Sequence, residues 1–352
     1  MAATRDSDYY FDDGNTVFEA ESTLSKVHRS VMARSSGLSF EKTFPLRRRD
    51  SQGNRGEVPV IRGSDQFPIH LKKNTTLWSL YAIPSDIVDA MKLESIDPVK
   101  FINLVRIAKK YSFASIEIWA LKALTSYLCS VPLPVPGSQF EPQAAKELSS
   151  EILRELTEVA AVCSRSAPLF EVVMAKWELL LSHGVYLKTA IRVSESRPEL
   201  CNLHASAYYA MILRGGDLTR NFSEEQRNIL LSGHYALFKL WRDHLNSPPQ
   251  FHSSNDCDPS SECRSHWISF WNDLMGSNST IPIFNSFHPL DLLGKLEVAQ
   301  DALQGDNREL EKAYHLTRKM LERCRTSGKK VLEEMGRKTK LKLPDYFKSP
   351  GC

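Results

Sequence analysis

The stretch "SVPLPVPGSQFEP", residues 130–142, limits what this chain can fold into more than any other. It holds four prolines and a glycine in 13 residues. Proline lacks the amide proton that helices and central strands need, and its ring fixes φ. No helix or strand can run through it, so residues 131–143 are expected to form an extended connector. The chain then divides into a first part, 8–130, and a second part, 144–348.

The second part shows helical spacing almost throughout. Ile152, Leu156, Val159 and Cys163 recur every three to four residues. Ser223 with Gln226 forms a capping-box pattern ahead of a long helix. A last helix is expected over 306–335, with Leu310, Ala313, Thr317, Met320, Cys324 and Val331 inward. The first part mixes periods. Asp13-Gly14-Asn15 between two strand-like runs predicts a hairpin, because both turn positions favour positive φ. Residues 24–36 place Leu24, Val27, Val31 and Ala33 near one helical face, and "FPIHLKK" alternates as a strand. Asp97 followed by Pro98 starts a helix with Val99, Ile102, Val105 and Ala108 inward. A second helix follows with Ile116, Ala120, Ala123 and Tyr127. The expected class is α+β, with a small mixed sheet flanked by helices, followed by a mainly α-helical C-terminal region.

Composition removes several functions. The formal net charge is +3, with hydrophobic content of 42% and charged content of 25%. That balance excludes a broad basic face, so nucleic acid is not expected as a partner. The basic runs at 47–50 and 328–342 have no interleaved aromatics. No apolar run suits a bilayer, and no charged-then-apolar leader opens the sequence, so no membrane partner or secretory route is expected. Cys352 stands too close to the end to make a prenylation box. Seven cysteines, odd in number and scattered, read as reduced thiols in a cytoplasmic or nuclear protein.

Candidate chemistry is sparse. His28 and Ser30 stand two apart, and on a helix such residues point about 200° apart, which rules out a nucleophile–base pair. Cys257 and Cys263, with His252 and His266, place four nitrogen or sulfur ligands in 15 residues. Their Cys-x5-Cys spacing is looser than structural zinc sites use, and His315 and Cys324 are spaced too widely to complete a set. Gly215-Gly216 lacks phosphate-loop spacing. Tyr208, Tyr209, Phe238 and Trp241, and the pair Trp267 and Trp271, are expected in a helical core. No cofactor and no catalytic residue are expected.

Three ordered segments carry a resemblance. "YYFDDGNTVFEAES", "TLSKVHRSVMARSSGLSF" and "DPVKFINLVRIAKKYSFASIEIWALKALTSYL" together resemble the BTB/POZ domain over residues 8–128. The later "LPDYF", residues 343–347, is similar to an element that ends the helical tail of a large fungal class of BTB proteins. The resemblance implies a non-catalytic interaction module or scaffold that self-associates as a homodimer. It also implies a possible role as adaptor for a cullin-type ubiquitin ligase, or as a transcription-associated regulator. By the same resemblance the dimer face lies in 8–36, on Tyr10, Phe11, Val17, Phe18, Leu24, Val27, His28 and Val31. The sequence departs from the family after "PIHLKK", where residues 73–85 leave little room for the helix that usually meets a cullin.

Overall fold

A computed structural model describes residues 4–14, 16–20, 23–28, 30, 60–62, 97–110, 114–132, 148–163, 168–195, 197–215, 222–250, 262–276, 279, 281–304 and 317–348. The chain forms two compact units, Met1–Lys176 and Trp177–Cys352. Of the expected connector only Val131 and Pro132 lie within the described residues.

The first unit opens with a sheet of four short strands, β1 (Thr4–Tyr10), β2 (Thr16–Ala20), β3 (Thr23–Val27) and β4 (Val60–Arg62). Their spatial order is β1-β3-β2-β4, with β1/β3 and β2/β4 parallel and β2/β3 antiparallel. Two expectations are corrected here. Asp13-Gly14 does not join paired strands, because β3 lies between β1 and β2. The antiparallel neighbours are instead β2 and β3, where Ala20 pairs with Thr23. Residues 23–27 are strand rather than the start of a helix. Leu24 and Val27 satisfy a helical spacing, but β-branched residues open and close "TLSKV", and the five residues pair along their length with β2, which fixes the pleated form. Gly14 packs so closely on β3 that a Cβ there would lie 2.9 Å from the carbonyl of Lys26.

The helices of this unit follow their capping signals. α1 (Pro98–Lys110) starts at Asp97, whose carboxylate accepts from the amides of Val99 at 3.0 Å and Lys100 at 3.4 Å. It buries Ile102, Val105 and Ala108, as its spacing requires, against α2 (Ala114–Ser130) and α3 (Ser150–Cys163). Phe101 and Trp119 meet across α1 and α2 at 5.1 Å between ring centroids. Arg106 reaches Glu155 at 3.5 Å and Glu158 at 3.2 Å on α3. The buried Lys176 ammonium donates to the Val131 carbonyl at 2.8 Å, and desolvation holds its pKa below the usual lysine value.

α4 (Pro168–Ser182) contains the division between the units. It ends in a Schellman-type turn. Gly184 has φ +75°, its amide bonds to the Leu181 carbonyl, and Val185 reaches back to Leu180. The second unit continues with α5 (Leu187–Ser194), α6 (Cys201–Arg214), α7 (Glu224–Asn246), α8 (Cys263–Met275), α9 (Pro282–Asn285), α10 (Leu292–Gln304) and α11 (Glu322–Tyr346). The capping box at Ser223 and Gln226 is formed in both directions. Trp267, Phe270, Trp271 and Leu274 of α8 centre a core with Phe284, Leu296, Ala299, Met320, Cys324 and Leu332. Both indoles stay satisfied: Trp267 donates to the Pro249 carbonyl and Trp271 to the His244 carbonyl, each at 2.8 Å. Near the end of α11, the Phe347 ring covers Gly233 of α7, where a Cβ would come within 1.9 Å of it. The same ring stacks on Tyr208 at 5.8 Å.

The expected α+β class with a BTB/POZ N-terminus is therefore corrected. The described residues are mainly helical, with helices along the chain from Pro98 to Tyr346. Strands occupy only short runs within 4–27 and 60–62, and these residues show no clear sheet-plus-helix BTB N-terminus. Hydroxyl-bearing Thr23 and Ser25 provide the buried side of β3, a poor platform for covering helices. The expected "FPIHLKK" strand and residues 73–85 lie outside the described residues.

Candidate interaction surface

The residues singled out near the N-terminus gather around the turn at 11–14. The Phe11 amide donates to the Lys26 carbonyl at 2.8 Å, and the Lys26 ammonium donates to the Asp12 carbonyl. His28 lies 3.1 Å from the Asp13 carboxylate, and its ring stacks with Phe11 at 5.8 Å. It follows β3 and is not on the helix face expected for it. Arg5 sits 4.6 Å over the Tyr10 ring. Tyr10, Phe11, Leu24 and His28 are all half-buried. Val17, Phe18 and Val27 are placed by their backbone alone: Val17 pairs with Lys26, Phe18 with Ser25, and Val27 with Thr16. Val31 lies outside the described residues.

The metal candidates separate. Cys263 is buried at the start of α8, where its sulfur accepts from the Leu321 amide at 3.3 Å. His266 lies 3.5 Å from Glu262, its neighbour one turn earlier. Cys257, His252 and His315 lie outside the described residues. Among the described residues no three His, Cys, Asp or Glu side chains are grouped to hold a metal. Cys129, Cys163, Cys263 and Cys324 are reduced, whereas Cys201 is disulfide-bonded. The expectation that all seven cysteines are reduced is corrected at that position; nothing in their spacing announced the bond.

A buried serine–histidine contact is one feature that spacing did not reveal. Ser194 of α5 and His204 of α6 meet at 3.2 Å, and both are fully buried. The Ser194 hydroxyl donates to the Ala190 carbonyl at 2.7 Å, so His204 Nδ1–H is the donor in the pair. Burial pushes the His204 pKa down to about 4, which keeps the ring neutral. With its hydroxyl committed and both groups sealed from solvent, the pair ties two helices together and offers no nucleophile. The two stand ten positions apart with a turn between them, a separation that no single helical period explains.

A cleft of about 540 Å³ opens among α4, α6, α10 and α11. At its floor, Tyr209 donates to Asp291 at 2.9 Å and accepts from the Leu293 amide at 3.2 Å. Asp291 also caps α10 through the Gly294 amide at 2.9 Å. Burial and this carboxylate raise the Tyr209 pKa well above the ordinary phenol value. The cations at the rim are already engaged. Lys340 pairs with Glu178, Arg337 with Glu334 at 2.7 Å, and Arg214 with the Ser182 carbonyl at 2.7 Å. Its rim cations are thus occupied by neighbouring carboxylates and carbonyls, and among the described residues no acid–base pair is aimed at its centre.

The outer face of α7 differs. Leu231, Tyr235 and Phe238 are 67%, 69% and 41% exposed. Spaced by four and three, they share one side of the helix, while Ile229, Gly233 and Leu237 are buried on the other. α7 is thus apolar on both sides. Phe238 was expected in the core with Tyr208, Tyr209 and Trp241; Tyr208 and Tyr209 are buried and Trp241 half-buried, but Phe238 turns outward. Trp267 and Trp271 are in the core as expected. Among the described residues no helix is long and apolar enough to cross a membrane. Comparison with family models, with curated proteins and with solved structures finds no match to this chain, so no relative identifies a BTB/POZ domain in it.

Proposed function

We propose that the protein is a non-catalytic interaction module that binds other protein chains through exposed helix surface. The apolar row Leu231, Tyr235 and Phe238 carries this reading. Three large apolar side chains held together in solvent mark a contact surface far more often than a single exposed leucine does. Tyrosine and phenylalanine also bring large area at low rotamer cost, which suits recognition. The arrangements that resemble chemistry support the same view, because Ser194–His204 and Tyr209–Asp291 are structural ties.

A cytoplasmic or nuclear location is part of the proposal. The four reduced thiols favour it and the Cys201 disulfide runs against it. The cullin-adaptor and transcription-associated readings rest on the BTB/POZ resemblance alone, and no described geometry adds to either. Proximity labelling in the native cell tests the module. The set of proteins labelled by the wild type should shrink sharply for Leu231→Glu/Tyr235→Glu, with equal protein levels. Identical sets from both would refute a role for this face.

A further inference from the structure

We propose that α7 pairs with the α7 of a second copy, antiparallel, through Leu231 and Tyr235. This rests on the interaction-module reading and names its partner. At about 100° per residue, Leu231, Tyr235 and Phe238 fall within about 60° of arc. Glu224 and Arg242 fall in the same arc, one beyond each end of the apolar row. Both are exposed, and neither makes an ion pair among the described residues. The row is therefore flanked by an exposed carboxylate at its start and an exposed guanidinium at its end, each without an ion pair among the described residues.

Two such helices laid antiparallel match in one register. Placing Leu231 against Tyr235 of the second copy also places Glu224 against Arg242 of the second copy, since each pair is centred on position 233. A two-fold axis there repeats both contacts, giving two apolar contacts and two ion pairs from one surface. The dyad keeps residues on the same edge of the stripe together, so Arg227 and Lys239, on opposite edges, stay apart. Parallel pairing would set Glu224 against Glu224 and Arg242 against Arg242. The helix dipole accounts for an acidic first turn, but not for Leu231 and Tyr235 left in water. A single helix face is smaller than the interfaces of permanent dimers, so the pairing is reversible and concentration-dependent.

Sedimentation equilibrium on the full chain, from about 1 to 100 μM, tests this. The wild type should pass from monomer to dimer in that range, and Leu231→Glu/Tyr235→Glu should stay monomeric with unchanged helical circular dichroism. Glu224→Arg and Arg242→Glu should each weaken the dimer by about tenfold, because each sets like charges together. Mixing those two variants in equal amounts should restore it, since both interhelical pairs are then opposite in sign. A monomeric wild type, a dimer indifferent to the Leu231/Tyr235 change, or a mixture no tighter than its parts would each overturn the pairing. If the wild type is monomeric while proximity labelling still depends on the same face, self-pairing fails and the module reading stands. In that case the face takes a different protein.

Discussion

β3 and α8 solve the same problem, burying one side of an element, with opposite materials. β3 buries the hydroxyl side chains of Thr23 and Ser25 and leaves Leu24 and Lys26 half-exposed. α8 buries Trp267, Phe270, Trp271 and Leu274 together. A strand with hydroxyls inward gains little from water exclusion and depends on its ladder and on the ties of the 11–14 turn. A helix that buries three aromatic rings gains from area directly, and hydrogen bonds only have to keep its indole N–H groups from being stranded. The region around α8 should therefore resist unfolding by bulk packing, and the sheet by local geometry.

The contrast can be broken at several points. Trp271→Ala removes a fully buried ring from the α8 core and should cost about 3–5 kcal/mol in urea unfolding. A loss below about 1 kcal/mol would mean that the aromatic cluster does not carry the second unit.

Acid should act next most strongly. His204 is neutral in the fold with a pKa near 4 against 6.5 when free, so the unfolded chain binds the extra proton between those values. Its contribution is complete above about pH 6.5 and is lost as pH falls towards 4, amounting to about 3 kcal/mol. His244 and His288 are shifted in the same direction by burial and add to the slope. His204→Phe should flatten the curve of stability against pH between 4 and 6.5; an unchanged slope would exclude His204 as its source.

Gly14→Ala tests the sheet by geometry alone, since the new Cβ meets the Lys26 carbonyl at 2.9 Å. It should destabilise the sheet by about 1–3 kcal/mol. Hydrogen exchange should quicken at Phe11 and along β3 while the α8 region keeps its protection. Equal acceleration in both would show that the two regions are not independently stabilised. Arg106→Ala, which removes exposed ion pairs to Glu155 and Glu158, should matter least, at most about 1 kcal/mol and less in high salt.

The same contrast explains what could be read from the residues in advance. Asp97 and Ser223 announce helix starts through local chemistry, and both do cap in the structure. Ile102, Val105 and Ala108 repeat over enough turns to leave one interpretation. "TLSKV" does not: Leu24 and Val27 keep a helical spacing over too few residues to decide, and the strand came from the pairing of β3 with both β1 and β2. The dipeptide Asp13-Gly14 signals a turn but not which strands flank it in space. Phe238 was misplaced because an apolar residue on a helix with two apolar sides carries no mark of which side is inward. Ser194–His204 and Tyr209–Asp291 depend on helix–helix packing and have no periodic trace at all.

The crowding of rings in α8 also decides what light can report about this protein. Of six tryptophans, Trp177, Trp241, Trp267 and Trp271 belong to the second unit, and Trp78 and Trp119 to the first. Trp267 and Trp271 lie 6.4 Å apart and inclined by 31°, close enough for their strong transitions to couple and give a paired dichroic band in the far ultraviolet. Emission and that dichroic band will therefore follow the melting of the α8 core. The described strands hold no tryptophan, so the sheet is better followed by amide exchange or by an introduced label.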